Sequence, residues 1–151
     1  MDPMRFVDDV YRYALARTGN KEDAEDIAIE VVHQAPAGMR TDELKPYMIG
    51  MARRKIADHF RHSARREETS VLPELGANFA VEQMIDVQRA LDTVSESHRE
   101  CLILKYVNGL TANEIGLVMD ISSDAVDSLL QRARKSFANQ WEIMHGEEDE
   151  R

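Results

Sequence analysis

One cysteine in 151 residues, Cys101, excludes any disulfide within the chain and gives no sign of an oxidising compartment. It lies in the apolar run Cys-Leu-Ile-Leu, a setting for a buried, inert thiol rather than a nucleophile. Long apolar runs are also missing: no stretch approaches the roughly 20 residues that cross a bilayer. The opening MDPMRFVDDV carries acid where a signal peptide needs a basic end and an apolar middle. The expectation is a cytoplasmic protein with no membrane insertion. With only 7 glycines and 4 prolines, little punctuates strands, while Ala, Leu, Met and charged helix formers are plentiful. An all-α chain follows, long enough for one ordinary domain or two small ones.

Basic residues are too few to balance the acid. The formal net charge is −9, but it is unevenly spread: residues 1–66 sum to +1, 67–95 to −5, 96–141 to −1 and 142–151 to −4. Two nearly neutral regions therefore flank an acidic middle, and overall charge does not exclude a local nucleic-acid surface.

Hydrophobic spacing divides the chain further. Asp2 and Pro3 open a helix that Gly19 stops; Asn20 caps a second, whose buried stripe is Ala24, Ile27, Ala28, Val31 and Val32. A third runs from Thr41 or Asp42 to about Arg65, with Leu44, Tyr47, Met48, Met51, Ala52, Ile56 and Phe60 facing inward and Pro46 tolerated near its start. Periodicity is then lost across Pro73, Gly76 and Asn78. These features predict a domain over 1–66, a linker over 67–78, a second domain over 79–142 and a solvated, disordered acidic tail over 143–151.

In the second half, helical pattern resumes from Phe79 to Leu91. Ser95, or Ser97 in the box Ser-His-Arg-Glu, opens a helix that ends at Asn108 and Gly109. Thr111 and Glu114 form a capping box, a short loop around Asp120 follows, and Ser122 caps a long helix with Val126, Leu130, Ala133, Phe137 and Trp141 at three- or four-residue intervals. Ile115, Met119, Ile121, Val126 and Leu130 would hold the two helices at a steep angle, with Gly116 permitting close approach. Two caps, a tight turn and a long following helix together indicate a DNA-binding helix-turn-helix more than a bland helical hairpin.

Over Ala90 to Phe137 the chain resembles region 4 of bacterial sigma factors of the extracytoplasmic-function (ECF) group. The stretches YRYALARTGNKEDAEDIAIEVVHQA and LKPYMIGMARRKIADHFRHSARR are similar to region 2 of the same group. This resemblance implies a two-domain transcription initiation factor, with no enzymatic activity, cofactor or metal. Asp23, Glu25, Asp26, Ile27 and Glu30 match residues that dock the beta-prime clamp helices of core RNA polymerase; the beta flap is the second implied polymerase contact. Tyr47, Arg53, Arg54, Lys55, Asp58, His59 and Arg61 match the surface that holds the melted minus-10 strand, a role the six cations within Arg53–Arg66 suit. Thr111, Ser123, Asp127, Ser128, Gln131, Arg132, Arg134 and Lys135 fall where the minus-35 duplex is read, and an anti-sigma factor is a further partner of the family.

Some positions depart from that pattern. Tyr47 stands where the family usually has Trp, and Ile49 where an aromatic is common. Asp127 and Leu129 occupy usually basic places on the recognition helix, and a carboxylate there could read only a cytosine amino group. The departures keep open a rival reading, a sigma-like module that occupies polymerase or an anti-sigma factor without initiating. A third reading, a di-iron helical bundle, rests on Glu30 with His33 and Glu142 with His145, and lacks the two further facing glutamates such a centre needs.

Overall fold

A computed structural model of the chain describes residues 2–62 and 81–149, and every element in it is helical. The predicted linker, Arg65 and Arg66 lie outside the described residues. Asp2 accepts the Met4 N–H at 3.0 Å and starts a single 3-10 turn, Pro3–Phe6, that leads into α1, Val7–Thr18. Gly19 ends α1 at φ 67°, a left-handed conformation that costs a residue with a Cβ about 1–2 kcal/mol. Asn20 then accepts the Asp23 N–H at 3.0 Å and caps α2, Lys21–Gln34. Helix α3, Thr41–His62, carries Pro46 in its second turn.

The second half begins with α4, Val81–Thr93. Ser95, not Ser97, caps α5, Glu96–Leu102, which widens into a π-helical stretch over Ile103–Val107. The Leu110 N–H reaches back to the Leu104 carbonyl at 3.0 Å, and Gly109 turns at φ 68° to release the chain. Thr111 and Glu114 form the predicted reciprocal box, at 2.9 and 3.2 Å, and start α6, Ala112–Met119. Ser122 accepts the Ala125 N–H at 3.1 Å at the head of α7, Ser123–Asp149. This last helix continues through residues 143–149, where the sequence suggests a disordered tail. Gly146 costs only about 1 kcal/mol in a helix interior, and the Glu residues around it are good helix formers.

Helices α1, α2 and α3 enclose Val10, Tyr13, Val31, Leu44, Met48 and Ile56, while α5, α6 and α7 enclose Cys101, Leu104, Leu110, Ile115, Val126 and Leu130. These groups are continuous: α6 lies on α3, the π-helical stretch lies on α1, and the buried side chains form one cluster. Each large aliphatic side chain so removed from water contributes about 1.5–3 kcal/mol.

Two α3 residues depart from the expected stripe. Tyr47 is 43% exposed, whereas Ile49 is fully buried and belongs to the core. In the second half, Ile121 is exposed rather than clamped between helices.

The turn between α6 and α7 depends on Gly116. The Ile121 N–H donates to the Gly116 carbonyl at 3.0 Å, and a Cβ on Gly116 would stand 2.6 Å from the Ile121 carbonyl oxygen. Backbone must move to admit a methyl group there. Gly116→Ala is expected to cost about 1–3 kcal/mol, lowering Tm by roughly 2–4 °C per kcal/mol at this chain length; thermal unfolding followed by circular dichroism checks it, and an unchanged Tm would contradict this account of the turn.

Candidate nucleic-acid interface

Helical spacing on α7 places Asp124, Asp127, Ser128, Gln131, Arg132 and Lys135 on an exposed face, with Val126, Leu129, Leu130 and Ala133 turned into the core. Thr111 is exposed and Ser123 half-buried beside them. Leu129 is only 8% exposed, so it packs inside the bundle and has no place on the outer face. Asp127 is the departure that does lie on that face. Arg134 points elsewhere: its Nε donates to the Tyr106 hydroxyl at 2.8 Å.

The basic run on α3 is engaged by acid from two directions. Lys55 Nζ stands 3.4 Å from Glu30 and His59 Nε2 stands 3.0 Å from Asp23, joining α3 to α2. Arg53 Nε donates to Glu100 Oε2 at 2.8 Å, and its Nη1 reaches the Val118 carbonyl at 3.4 Å. Arg54, Ala57 and Asp58 are exposed, and Arg61 lies in the last turn of the helix. The acidic and basic residues that the sequence assigns to different partners therefore touch one another through their edges.

On α2 the exposed face holds Glu22, Glu25, Asp26, Ile29 and Glu30. Ile27, which the family resemblance makes a docking residue, is buried against the core; the apolar side chain on the outer face is Ile29, 55% exposed. The signal was available in the spacing, because a stripe of Ala24, Ile27, Ala28 and Val31 leaves position 29 on the opposite side.

A polar cluster between the halves escaped sequence reasoning altogether. Glu100 is 3% exposed and accepts from the Tyr13 hydroxyl at 2.6 Å as well as from Arg53. Burial and the adjacent Glu100 carboxylate push the Tyr13 hydroxyl well above the ordinary tyrosine range. Arg17 Nη2 donates to Glu96 Oε1 at 3.0 Å, and that hydrogen bond and charge hold the Glu96 carboxyl below its usual value. Asn108 Nδ2 donates to the Asp9 carbonyl at 2.8 Å. The box Ser-His-Arg-Glu reads as a cap, but with Ser95 capping α5 its glutamate turns inward instead.

Across the second half an apolar groove of about 740 Å³ is bordered by Val87, Leu91, Leu102, Ile103, Tyr106, Val107, Phe137 and Trp141. Trp141 stacks on Phe137 at 6.1 Å between ring centroids and meets the His145 ring at a tilt, 4.4 Å away; His145 in turn stands 3.3 Å from Asp86. Among the described residues no group of three or more His, Cys, Asp or Glu side chains is placed to hold a metal, and Glu30 is directed to Lys55. No helix among them is long and apolar enough to cross a membrane.

Comparison with known proteins identifies both halves. Residues 4–66 match the family model for sigma-70 region 2, and residues 84–137 match that for sigma-70 region 4. The chain is 29% identical over 149 residues to the ECF RNA polymerase sigma factor BldN of Streptomyces coelicolor, covering 89% of this chain and 56% of that protein. It is 28% identical over 143 residues to the ECF RNA polymerase sigma factor SigM of Bacillus subtilis, covering 86% of each. In fold it is similar to the sigma factor RpoE crystallised with the anti-sigma factor NepR from Bartonella quintana, with a TM-score of 0.71 and 17% identity over 93% of this chain and 94% of that one.

Cys101 gives a direct check on the packing of the core enclosed by α5, α6 and α7. Burial, with the neighbouring carboxylate, pushes its thiol up to about 11, so at pH 8 only about one molecule in a thousand is the reactive thiolate. Iodoacetamide is expected to leave Cys101 unmodified in the folded chain and to label it on addition of denaturant; equal labelling rates in both states would show that this core is open.

Proposed function

The chain belongs to the sigma-70 family, in its ECF group, and from that premise we propose that it directs core RNA polymerase to promoters as a transcription initiation factor. In this reading α1–α3 dock core polymerase and capture the melted minus-10 strand, while α6 and α7 read the minus-35 duplex. The two halves, 1–66 and 79–142, work as separate units there, each on its own stretch of DNA. The observation that carries the proposal is the order of the two matched regions together with an outward face on each: acid around Ile29 on α2, and Asp127, Ser128, Gln131, Arg132 and Lys135 on α7.

The chemistry of each surface suits its assigned partner. An exposed isoleucine ringed by Glu22, Glu25, Asp26 and Glu30 offers an apolar centre and a charged rim to the basic clamp helices of beta-prime. The groove lined by Leu102, Phe137 and Trp141 is the natural seat for the beta flap, and an anti-sigma factor would compete for the same faces. Tyr47 and Arg54, exposed on α3, supply stacking and phosphate attraction to single-stranded DNA. Nothing in this role requires covalent chemistry from the chain, and its place is the cytoplasm, beside polymerase and chromosome.

Asp127 favours the second reading, a module that binds polymerase or an anti-sigma factor without initiating, because a carboxylate on the recognition face repels phosphate. Promoter-directed RNA synthesis by core polymerase plus this chain separates the two; core binding without specific transcripts would establish the second. Charge reversal of Arg53, Arg54 and Lys55 to Glu is expected to abolish open-complex formation, read by permanganate footprinting, and to spare core binding. Retained melting would put the DNA surface elsewhere. Conversely, Glu25→Lys with Asp26→Lys is expected to weaken core binding about tenfold or more, measured by fluorescence anisotropy, and an unchanged affinity would move the docking face off α2.

A further inference from the structure

Asp127 is an exposed carboxylate in the second turn of α7, on the face that the sigma-factor reading turns toward duplex DNA. The helix itself does not require it. The favourable pull of a helix N-terminus on acid fades within the first turn, where Asp124 already sits. Aspartate is a poor helix former in an interior position, and no cation of the described residues pairs with this one. Arg134, the nearest cation by helical angle, is drawn aside by the 2.8 Å hydrogen bond from its Nε to the Tyr106 hydroxyl. Gln131 stands one turn further along the same strip, and an amide there suits a base edge better than a phosphate. Arg132 lies further round the helix, toward an edge where a cation meets the backbone of the duplex.

We propose that Asp127 fixes one base of the upstream element as cytosine, by accepting a hydrogen bond from the cytosine 4-amino group in the major groove. The inference deepens the sigma-factor reading and rests on it, and it gives a use to the departure that otherwise counts against promoter recognition. The chemistry is selective because an ionised carboxylate only accepts hydrogen bonds. Guanine shows it two acceptors, N7 and O6, and thymine shows O4 and a methyl group. Adenine offers an amino donor but sets the N7 acceptor beside it; cytosine alone presents a donor with no acceptor on its own edge. The phosphates sharpen the choice. A carboxylate lowered into the groove between two charged strands is repelled, and only that hydrogen bond compensates it, so a wrong base leaves the repulsion unanswered. Asp127 in this way rejects wrong sequences as well as accepting the right one. A basic residue at the same place would add attraction to every sequence alike.

The test is run with core polymerase and the full chain on a promoter library randomised across both elements, each promoter identified by a barcode in its transcript. Cytosine is expected to be favoured about tenfold over guanine or thymine at one upstream position. Asp127→Ala, which removes the carboxylate and leaves a good helix former on the surface, is expected to level that position and no other. Asp127→Asn sets a donor beside the acceptor and is expected to move the preference there from cytosine to adenine. A residue that only supported the helix would change neither. An even rise in transcription from all sequences with Asp127→Ala would show that the carboxylate repels DNA without reading it, and would overturn the proposal. An upstream pattern that is the same with and without Asp127 would overturn it too, and both results leave the initiation reading standing. No transcripts from any promoter with the parent chain would sink that reading, and the cytosine assignment with it.

Discussion

A carboxylate buried between two domains needs the hydrogen bonds and charge that compensate its lost hydration, and here Tyr13 and Arg53 supply them to Glu100 from across the interface. Much of the tertiary arrangement follows from that one requirement. Tyr13 is held inside the α1–α3 bundle, Arg53 is drawn from the solvent face of α3, and α5 must lie close enough for a 2.6 Å hydrogen bond. Once α5 is so placed, α6 comes to rest on α3 and the apolar cores of both halves join into one cluster. A single ion pair is a poor source of stability in isolation, but a buried one gives directional specificity to an otherwise greasy contact.

The same requirement bears on how an acidic chain could fill the role proposed for it. With a net charge of −9 it has little general attraction for nucleic acid. On the basic run of α3, Lys55 is answered by Glu30 and Arg53 by Glu100, and the His59 ring stands beside Asp23. Such pairing lowers attraction to any polyanion, and in the proposed role specific capture falls to a complex in which polymerase supplies the missing affinity. Acid on α2 is likewise divided, between an exposed face and an inward edge where Glu30 and Asp23 meet Lys55 and His59 of the neighbouring basic helix.

Much of the fold was legible because local chemistry and global packing agree. Gly19, Asn20, Thr111 with Glu114, and Ser122 act where their side chains or their freedom at positive φ dictate. Other features were not legible. Ser95 and Ser97 are both competent caps, and which one starts α5 decides whether Glu100 is a surface cap or a buried anchor. Leu129 and Ile49 fall where the resemblance places a DNA face, yet both belong to the core. Ile27, which the resemblance places on the docking face, is buried, and Ile29 is the exposed one: a helix turns about 100° per residue, so a two-residue displacement moves a side chain to the other side.

The sequence by itself determined most of the helices, the caps at Asn20, Thr111 and Ser122, the tight turn after Gly116 and the succession of a region-2-like and a region-4-like half, since each depends on residues within a few turns of one another. Only the tertiary structure decided that Glu100 meets Tyr13 and Arg53, residues 87 and 47 positions away. Partners that distant leave no periodic trace, because a single buried charge is chosen by the geometry of two surfaces meeting and not by the spacing along either.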